Sequence, residues 1–542
     1  MKQYITFFVA FFFVFCLEGK RVITHPDYDN NGGSFTISID RIELTDSVAI
    51  FDITCYGSPD TPVRLNPETF LKGINTGNKY LLKGRENNDL AKWTNIPDSG
   101  YLEARIYFDA IDPIDSVVDF IEPGGWYIQG LKMYEDNLHK IKTNISGNVE
   151  IPSTSWLLIE EVGNDDRVNK SYVVSVRNDR FSYDLYTDFP QFFTIARGEE
   201  ILKGSWRLAT FWSEGKDVNI NFSRGKGEKT KIEVNGGALT DSMSAFRDRL
   251  QKSIDDFYNA NPAYREYYRM EEDGSLYTEE AKELKKQKEN KLDSNDEEEI
   301  NKKIQELFSE NKFFSPEGEK VWEAYQDFLI ASVDSVRNLR MEFYRKELSE
   351  PSLNGLAEIY QQLKYKSGLE TELLSLFENN YSDFMPVHPY SKFIKGLANE
   401  KAPVPGNKFI EIIAPDLQGN LTSMSDVING KIAVIDLWAS WCAPCRIHSM
   451  DLIPIYEKYK DKGFEIIAIA RESGNTEAMV KAIEKDGYPW LNLVDLNDNL
   501  GVWSKYRAGL SGGKIILVDE NGIIVSIDPT AEEVETYLQT HL

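Results

Sequence analysis

Cysteine is nearly absent from these 542 residues, with four in all: Cys16, Cys55, Cys442 and Cys445. That scarcity excludes a fold stapled by disulfides and leaves Cys442 and Cys445 as a pair suited to catalysis. Histidine is almost as rare, with five. His25, His139, His388 and His541 are scattered, and no second Cys-x-x-Cys exists, so a four-ligand structural zinc site is excluded. Positive charge is in deficit: 61 Lys and Arg against 87 Asp and Glu give a formal net charge of −26. A surface that acidic repels phosphate backbones and excludes nucleic acid as a partner, while favouring solubility. A phosphate loop is lacking too. Gly225-Lys226-Gly227-Glu228-Lys229-Thr230 has Glu228 where Gly-Lys-Ser/Thr must run unbroken, so it reads as a charged turn. Asp495 to Gly501 lacks calcium-loop spacing, because its glycine comes one place too late and Tyr506 occupies the final ligand position.

What is present begins with an export signal. Lys2 precedes an apolar run from Tyr4 to Leu17, long enough for a signal core and too short to span a bilayer as a helix. Residues 1–20 are therefore assigned to a signal peptide. Phe13-Val14-Phe15-Cys16 offers a lipoprotein box, with bulky Phe15 where a small residue is expected, and an uncleaved anchor is the other option. Membrane association is expected only through this signal or a lipid on Cys16. Hydrophobic content of 41% and aromatic content of 12% are those of folded globular protein, and the length calls for several domains.

Alternating apolar residues from Ser34 to Ile39, Val48 to Tyr56 and Tyr101 to Phe108, parted by turns such as Gly57-Ser58-Pro59-Asp60, predict a β-sandwich over 21–136. In the second run Cys55 shares a face with Ala49, Phe51 and Ile53, which makes it a buried, inert thiol. A second β domain is predicted over 137–239, closed by a hairpin of Val218 to Phe222 and Lys231 to Val234. Residues 240–402 turn helical, with Val321, Ala324, Tyr325, Phe328 and Leu329 marking one apolar face, and end in a proline-punctuated linker. Residues 403–542 alternate strand and helix. The predicted order is strand Ile432 to Leu437, helix Cys442 to Lys462, strand Phe464 to Ala470, helix Thr476 to Lys485, a hairpin over 514–527 and a final helix from Ala531. The fold class is thus multidomain: all-β segments, a helical middle and a C-terminal α/β domain.

Trp441-Cys442-Ala443-Pro444-Cys445 follows the apolar strand directly. A sulfur at a helix N-terminus meets unpaired N–H groups and the positive end of the helix dipole, which favour thiolate over thiol. Thiolate is the species that attacks a disulfide, and a second cysteine can resolve the mixed disulfide. Pro444 limits flexibility between the cysteines and is tolerated in a first helical turn.

With Asp436 six residues before Cys442, this arrangement resembles the thioredoxin fold, and in particular bacterial exported thiol–disulfide oxidoreductases of the cytochrome-maturation and alkyl-hydroperoxide-reductase-like group. The whole layout is similar to multidomain redoxins of Bacteroides-type organisms. The resemblance implies an exposed attacking Cys442, a more buried resolving Cys445, and Asp436 as the buried proton acceptor beneath it. Trp441, Pro444, Gly512 and Gly513 are implied in substrate binding. Relatives place a cis-proline where Gly513 stands and often a glutamate where His448 stands, so His448 is a candidate tuning residue. No cofactor and no metal are implied. The implied partners are disulfide-bearing exported proteins and an upstream thiol electron donor, in the periplasm or cell envelope. Two alternatives stand beside disulfide reduction: a thiol peroxidase-like redoxin, against which Ala439 replaces the threonine expected three residues before a peroxidatic cysteine, and an envelope binding protein with an accessory redox domain.

Overall fold

A computed structural model describes residues 21–31, 36–86, 90, 92–135, 137–152, 154–162, 170–202, 208–224, 230–290, 294–365, 369–399, 403–508 and 512–542. The signal and Cys16, the turn at 225–229, and Gly509 to Ser511 lie outside them. The first β segment is all-β, with eight strands hydrogen-bonded in one antiparallel order in which Lys79–Glu86 pairs with Tyr101–Asp109 on one side and Phe70–Gly73 on the other. Asn30 and Gln129 form a further bridge across the segment. Sequence alternation marks which residues point inward and is silent on pairing. Ala49, Phe51, Ile53 and Cys55 face its core, alongside Phe108 and Phe120. The second segment is built of two four-stranded sheets. There, strands Arg180–Thr187, Ile141–Asn148, Val218–Arg224 and Thr230–Asn235 form one sheet, and Ser171–Ser175, Trp156–Glu161, Phe192–Arg197 and Ala209–Trp212 the other. Ile145, Ile159, Phe193, Phe211 and Ile220 fill the space between.

Ala238–Asn399 is a compact helical unit of its own. Its longest helix, Pro316–Glu347, starts where Ser315 accepts the Gly318 N–H and proline supplies a preset first turn. No helix among the described residues is long and apolar enough to cross a membrane.

The C-terminal domain has the thioredoxin-like layout that its sequence resembles. Its elements are β1 (Ile432–Trp438), α1 (Ala443–Tyr459), β2 (Phe464–Glu472), α2 (Glu477–Asp486), β3 (Leu491–Leu496), β4 (Lys514–Val518), β5 (Ile524–Ile527) and α3 (Ala531–His541). The sheet order is β3-β2-β1-β4-β5, with β2 parallel to β1 and β3, and β4 antiparallel to β1. Every residue of β1 is buried. Ala433, Ile435 and Leu437 face one core with Trp503 and Tyr506. Ile432, Val434 and Trp438 face the other, with Leu452 and Ile455 of α1 and Val534 and Leu538 of α3. Period-two alternation puts Asp436 on this second face, under α1. Helix α1 begins at the cysteine pair and passes through Pro454. It ends in a 3₁₀ turn before Gly463, whose φ of 102° suits glycine.

Strand β3 is the element that sequence patterning missed, because Asn492 and Asp495 interrupt its apolar run. Both polar groups are satisfied inside: Asn492 Oδ1 accepts from Trp438 Nε1 at 3.1 Å, and Asp495 accepts the Leu500 and Val502 N–H groups at 2.8 and 3.0 Å. The segment without calcium-loop spacing is thus a turn organised by one buried carboxylate. Asp495→Ala should orphan two amides and lower the stability of the C-terminal domain by about 2 kcal/mol or more, read as an earlier C-terminal transition in calorimetry of the full chain.

Candidate active site

Cys442 and Cys445 are joined in a disulfide at the N-terminus of α1, with Cα atoms 5.3 Å apart. Cys442 is the N-cap residue, and its sulfur accepts the Cys445 N–H at 3.4 Å. The sulfur therefore sits among first-turn amides that lack helical partners. Pro444 lies exposed in this turn.

The segment entering the helix is clamped at Ser440. Its N–H and hydroxyl donate to the two oxygens of Glu472 at 2.7 and 2.8 Å, and its carbonyl accepts from Arg446 at 3.3 Å. Arg446 is held in turn by a two-point ion pair with Asp486 at 2.6 and 2.7 Å. Burial pushes the Glu472 carboxyl up from its ordinary range, and the Ser440 bonds pull it partly back.

The two cysteines are covered in the reverse of the expected order. Cys442 is 2% exposed, whereas Cys445 is half-buried. Cys442 shares a core with Trp503, whose ring lies 5.6 Å from that of Trp441. The Arg471 guanidinium stands 5.2 Å from the Trp503 ring and bonds Asp498 at 3.1 Å. Cys445 instead meets the backbone of Gly513, which has no side chain to cover it.

Asp436 is 1% exposed. Its Oδ2 accepts from the Ser449 hydroxyl at 2.6 Å, and Oδ1 is buried with no hydrogen-bond partner. Ser449 also lies 3.0 Å from the Cys445 carbonyl. With a single hydroxyl hydrogen, Ser449 serves one of these acceptors at a time. Burial raises the Asp436 carboxyl to about 7, opposed by the Ser449 bond.

Gly513 immediately precedes β4, beside the disulfide. Its N–H donates to Cys445 Sγ at 3.1 Å, and a Cβ built on it would fall 1.7 Å from the Leu437 carbonyl oxygen. Gly512 has open space around its Cα and makes no comparable approach. His448 is half-buried on α1, with Nε2 buried and unpartnered, and no hydrogen bond among the described residues links it to the cysteines or Asp436. Cys55 lies far from this chemistry in the β segment, where burial pushes its thiol well above the ordinary range. Among the described residues no cluster of three or more His, Cys, Asp or Glu side chains could hold a metal.

Sequence reasoning missed Ser449, Glu472, Arg471 and Trp503. Ser449 was within reach, since it lies one turn from Cys445 on the same helix. Glu472 carries a weaker signal, a charge closing an apolar strand at its C-terminal end, where sites in α/β sheets gather. Trp503 has no local signal at all.

The raised Asp436 carboxyl makes a stability prediction. Unfolded, the group titrates near 3.8, and folded at about 7. Between those values the folded state holds a proton that the unfolded state has lost, so stability falls as pH rises through the window and levels off above it. The full effect is about 4 kcal/mol. Urea unfolding of the C-terminal domain in the oxidised chain should show this decline, and Asp436→Asn should abolish it. An unchanged slope in the variant would contradict the assignment.

Residues 405–527 match the AhpC/TSA family. The thiol-disulfide oxidoreductase ResA of a Bacillus cereus strain is 30% identical over 137 residues, which are 25% of this chain and 76% of that protein. The thiol:disulfide interchange protein DsbE of Pseudomonas fluorescens biotype C is 27% identical over 135 residues, 24% of this chain and 71% of that protein. The crystal structure of the thioredoxin domain of a Bacteroides vulgatus thiol-disulfide oxidoreductase aligns at 29% identity with a TM-score of 0.24, covering 26% of this chain and 97% of that one. Through its C-terminal domain, the chain belongs to the thiol-disulfide oxidoreductase family that includes ResA.

Proposed function

We propose that this protein is a cell-envelope thiol–disulfide oxidoreductase that reduces disulfides in exported partner proteins through Cys442 and Cys445. The observation that carries the reading is a Cys-x-x-Cys pair at a helix N-terminus, linked through Ser449 to a buried carboxyl that titrates near neutrality. In the reduced enzyme the Cys442 thiolate attacks one sulfur of a partner disulfide. A Cys442–partner disulfide forms, the partner's own S–S bond breaks, and the released partner thiolate takes up a proton. Cys445 then loses its proton, for which Asp436 is the acceptor, and attacks Cys442 Sγ. The second partner thiolate leaves, and the Cys442–Cys445 disulfide closes. An upstream dithiol protein restores the pair by the same exchange in reverse, so two electrons pass from donor to partner with no cofactor.

Helix α1 supplies the charge stabilisation at Cys442 and the Glu472–Ser440–Arg446 clamp fixes the approach to it. Trp441, Pro444, Gly512 and Gly513 would form the docking surface, and because Cys442 is 2% exposed, a partner must open its surroundings to reach it. His448, three residues after Cys445 on α1, would tune the pair as a neighbouring side chain. The apolar stretch from Tyr4 to Leu17 supports export, with the β and helical segments serving placement or partner choice.

Insulin reduction by the full chain with a dithiol donor tests this. Wild type should accelerate precipitation and Cys442→Ser should fall to the uncatalysed rate; equal activity in both would overturn the enzyme reading. Cys445→Ala should accumulate mixed disulfides with partners, and peroxide consumption should stay at background.

A further inference from the structure

Each sulfur of the pair accepts one backbone N–H, but the two donors differ in origin. Cys442 Sγ takes the Cys445 N–H at 3.4 Å, a bond internal to the helix turn. Cys445 Sγ takes the Gly513 N–H at 3.1 Å, from the residue that enters β4, 68 residues further along the chain. This donor requires two properties of residue 513 together. It must carry an N–H, which proline lacks. It must also lack a Cβ, because one would sit 1.7 Å from Leu437 O, 2.8 Å from the Leu437 carbonyl carbon and 3.1 Å from Cys445 Sγ itself. Glycine alone meets both conditions with the backbone where it is. The approach is fixed by pairing: Leu437 of β1 lies opposite Lys514, the residue after Gly513.

We propose that the Gly513 N–H receives the negative charge that develops on Cys445 Sγ when the disulfide opens, making Gly513 a catalytic residue for release of the Cys445 thiolate. The inference rests on the disulfide-exchange reading above. In the recharging step a donor thiolate attacks Cys442 Sγ. The donor–Cys442 bond forms, the Cys442–Cys445 bond breaks, and the electron pair of the broken bond moves to Cys445 Sγ. That sulfur faces a preorganised donor already within hydrogen-bond distance, so no solvent need reorganise to meet the charge. A hydrogen bond to a charged acceptor is stronger than one to a neutral one, so the contact tightens as the bond breaks. The same donor steadies the thiolate when Cys445 later attacks the mixed disulfide. Asp436 acts from the other side. Its Ser449 partner can donate to Asp436 or to the Cys445 carbonyl, so Asp436 offers a proton store beside Cys445, while Gly513 offers a fixed dipole. The titratable and charged groups around this contact include Cys442, Arg446 and His448 on its own helix, Asp436 on β1, Lys514 after Gly513, and Tyr488, whose hydroxyl donates to the Arg446 carbonyl.

The test reads the Gly513 amide directly in the full chain. Glycine labelled with ¹⁵N and ¹³C-carbonyl restricts a carbonyl-correlated spectrum to the glycines that follow a glycine: Gly33, Gly125, Gly237 and Gly513. The Gly513 signal is the one lost in Gly512→Ala, a position with open space for a methyl group. In the dithiothreitol-reduced protein, raising the pH should move the Gly513 amide proton downfield. The midpoint should match that for alkylation of Cys445 in Cys442→Ser. The shift should vanish in Cys445→Ser. A Gly513 signal that ignores Cys445 ionisation, or that titrates equally in Cys445→Ser and so reports Asp436, would overturn the proposal. Insulin reduction distinguishes the two readings: activity dependent on Cys442 with an unresponsive Gly513 leaves the enzyme reading intact and removes only this donor.

Discussion

The site depends on burying a carboxyl in a strand that has no exposed residue. Asp436 sits among Ile432, Val434 and Trp438 on the face of β1 that α1 covers, and one of its oxygens has no partner. An ionised carboxylate there would forfeit hydration with a single hydroxyl in return, so the fold favours the protonated form up to neutral pH. That places a proton reservoir one side chain from the backbone of Cys445. The strand carries the cost in its stability, and the surrounding apolar core offsets it. Thus the chemistry and the packing are one constraint seen from two sides.

Around this point the remaining contacts serve position. Glu472 at the end of β2, Arg446 in the first turns of α1 and Asp486 at the end of α2 converge on Ser440, the residue two before Cys442. Three elements of the domain therefore hold the segment that sets the attacking sulfur. Arg471, next to Glu472, lies against Trp503, so neighbouring residues on one strand end steer both the backbone before Cys442 and the tryptophan that shares its core. The rigidity of the sheet is passed to a loop that would otherwise be free to move.

How much of this was legible in the chain follows the range of each interaction. The cysteine pair, Asp436, the helix start and strands β1, β2 and β4 are written in local periodicity and spacing, and they were readable. Strand β3 was hidden because its polar residues look like a loop until Trp438 and the 500–502 amides arrive to satisfy them. The covered Cys442 was hidden for a similar reason: Trp503 stands far along the chain, beyond two further strands, and nothing near it announces a destination. In the first β segment alternation identified inward faces, including that of Cys55, but strand partners are chosen by contacts that no single strand encodes. The resemblance to thioredoxins carried the roles and misjudged exposure, which long-range packing decides.

Gly513 shows why a departure from a familiar pattern can be informative. By resemblance it stands where relatives place a cis-proline. Set against Leu437 and Cys445, the same residue is the one type whose backbone can come this close while still presenting a hydrogen. A proline at that place would contribute shape and exclude a donor; glycine contributes a donor and leaves Cys445 less covered. The half-buried Cys445 and the buried Cys442 are then two results of one exchange of roles. A backbone N–H attends Cys445, whereas Cys442 lies in the core that also holds Trp503. On the proposed reading, opening that core admits a partner to Cys442, while the Gly513 N–H meets charge at Cys445. Selectivity and chemistry are thereby assigned to separate parts of the domain.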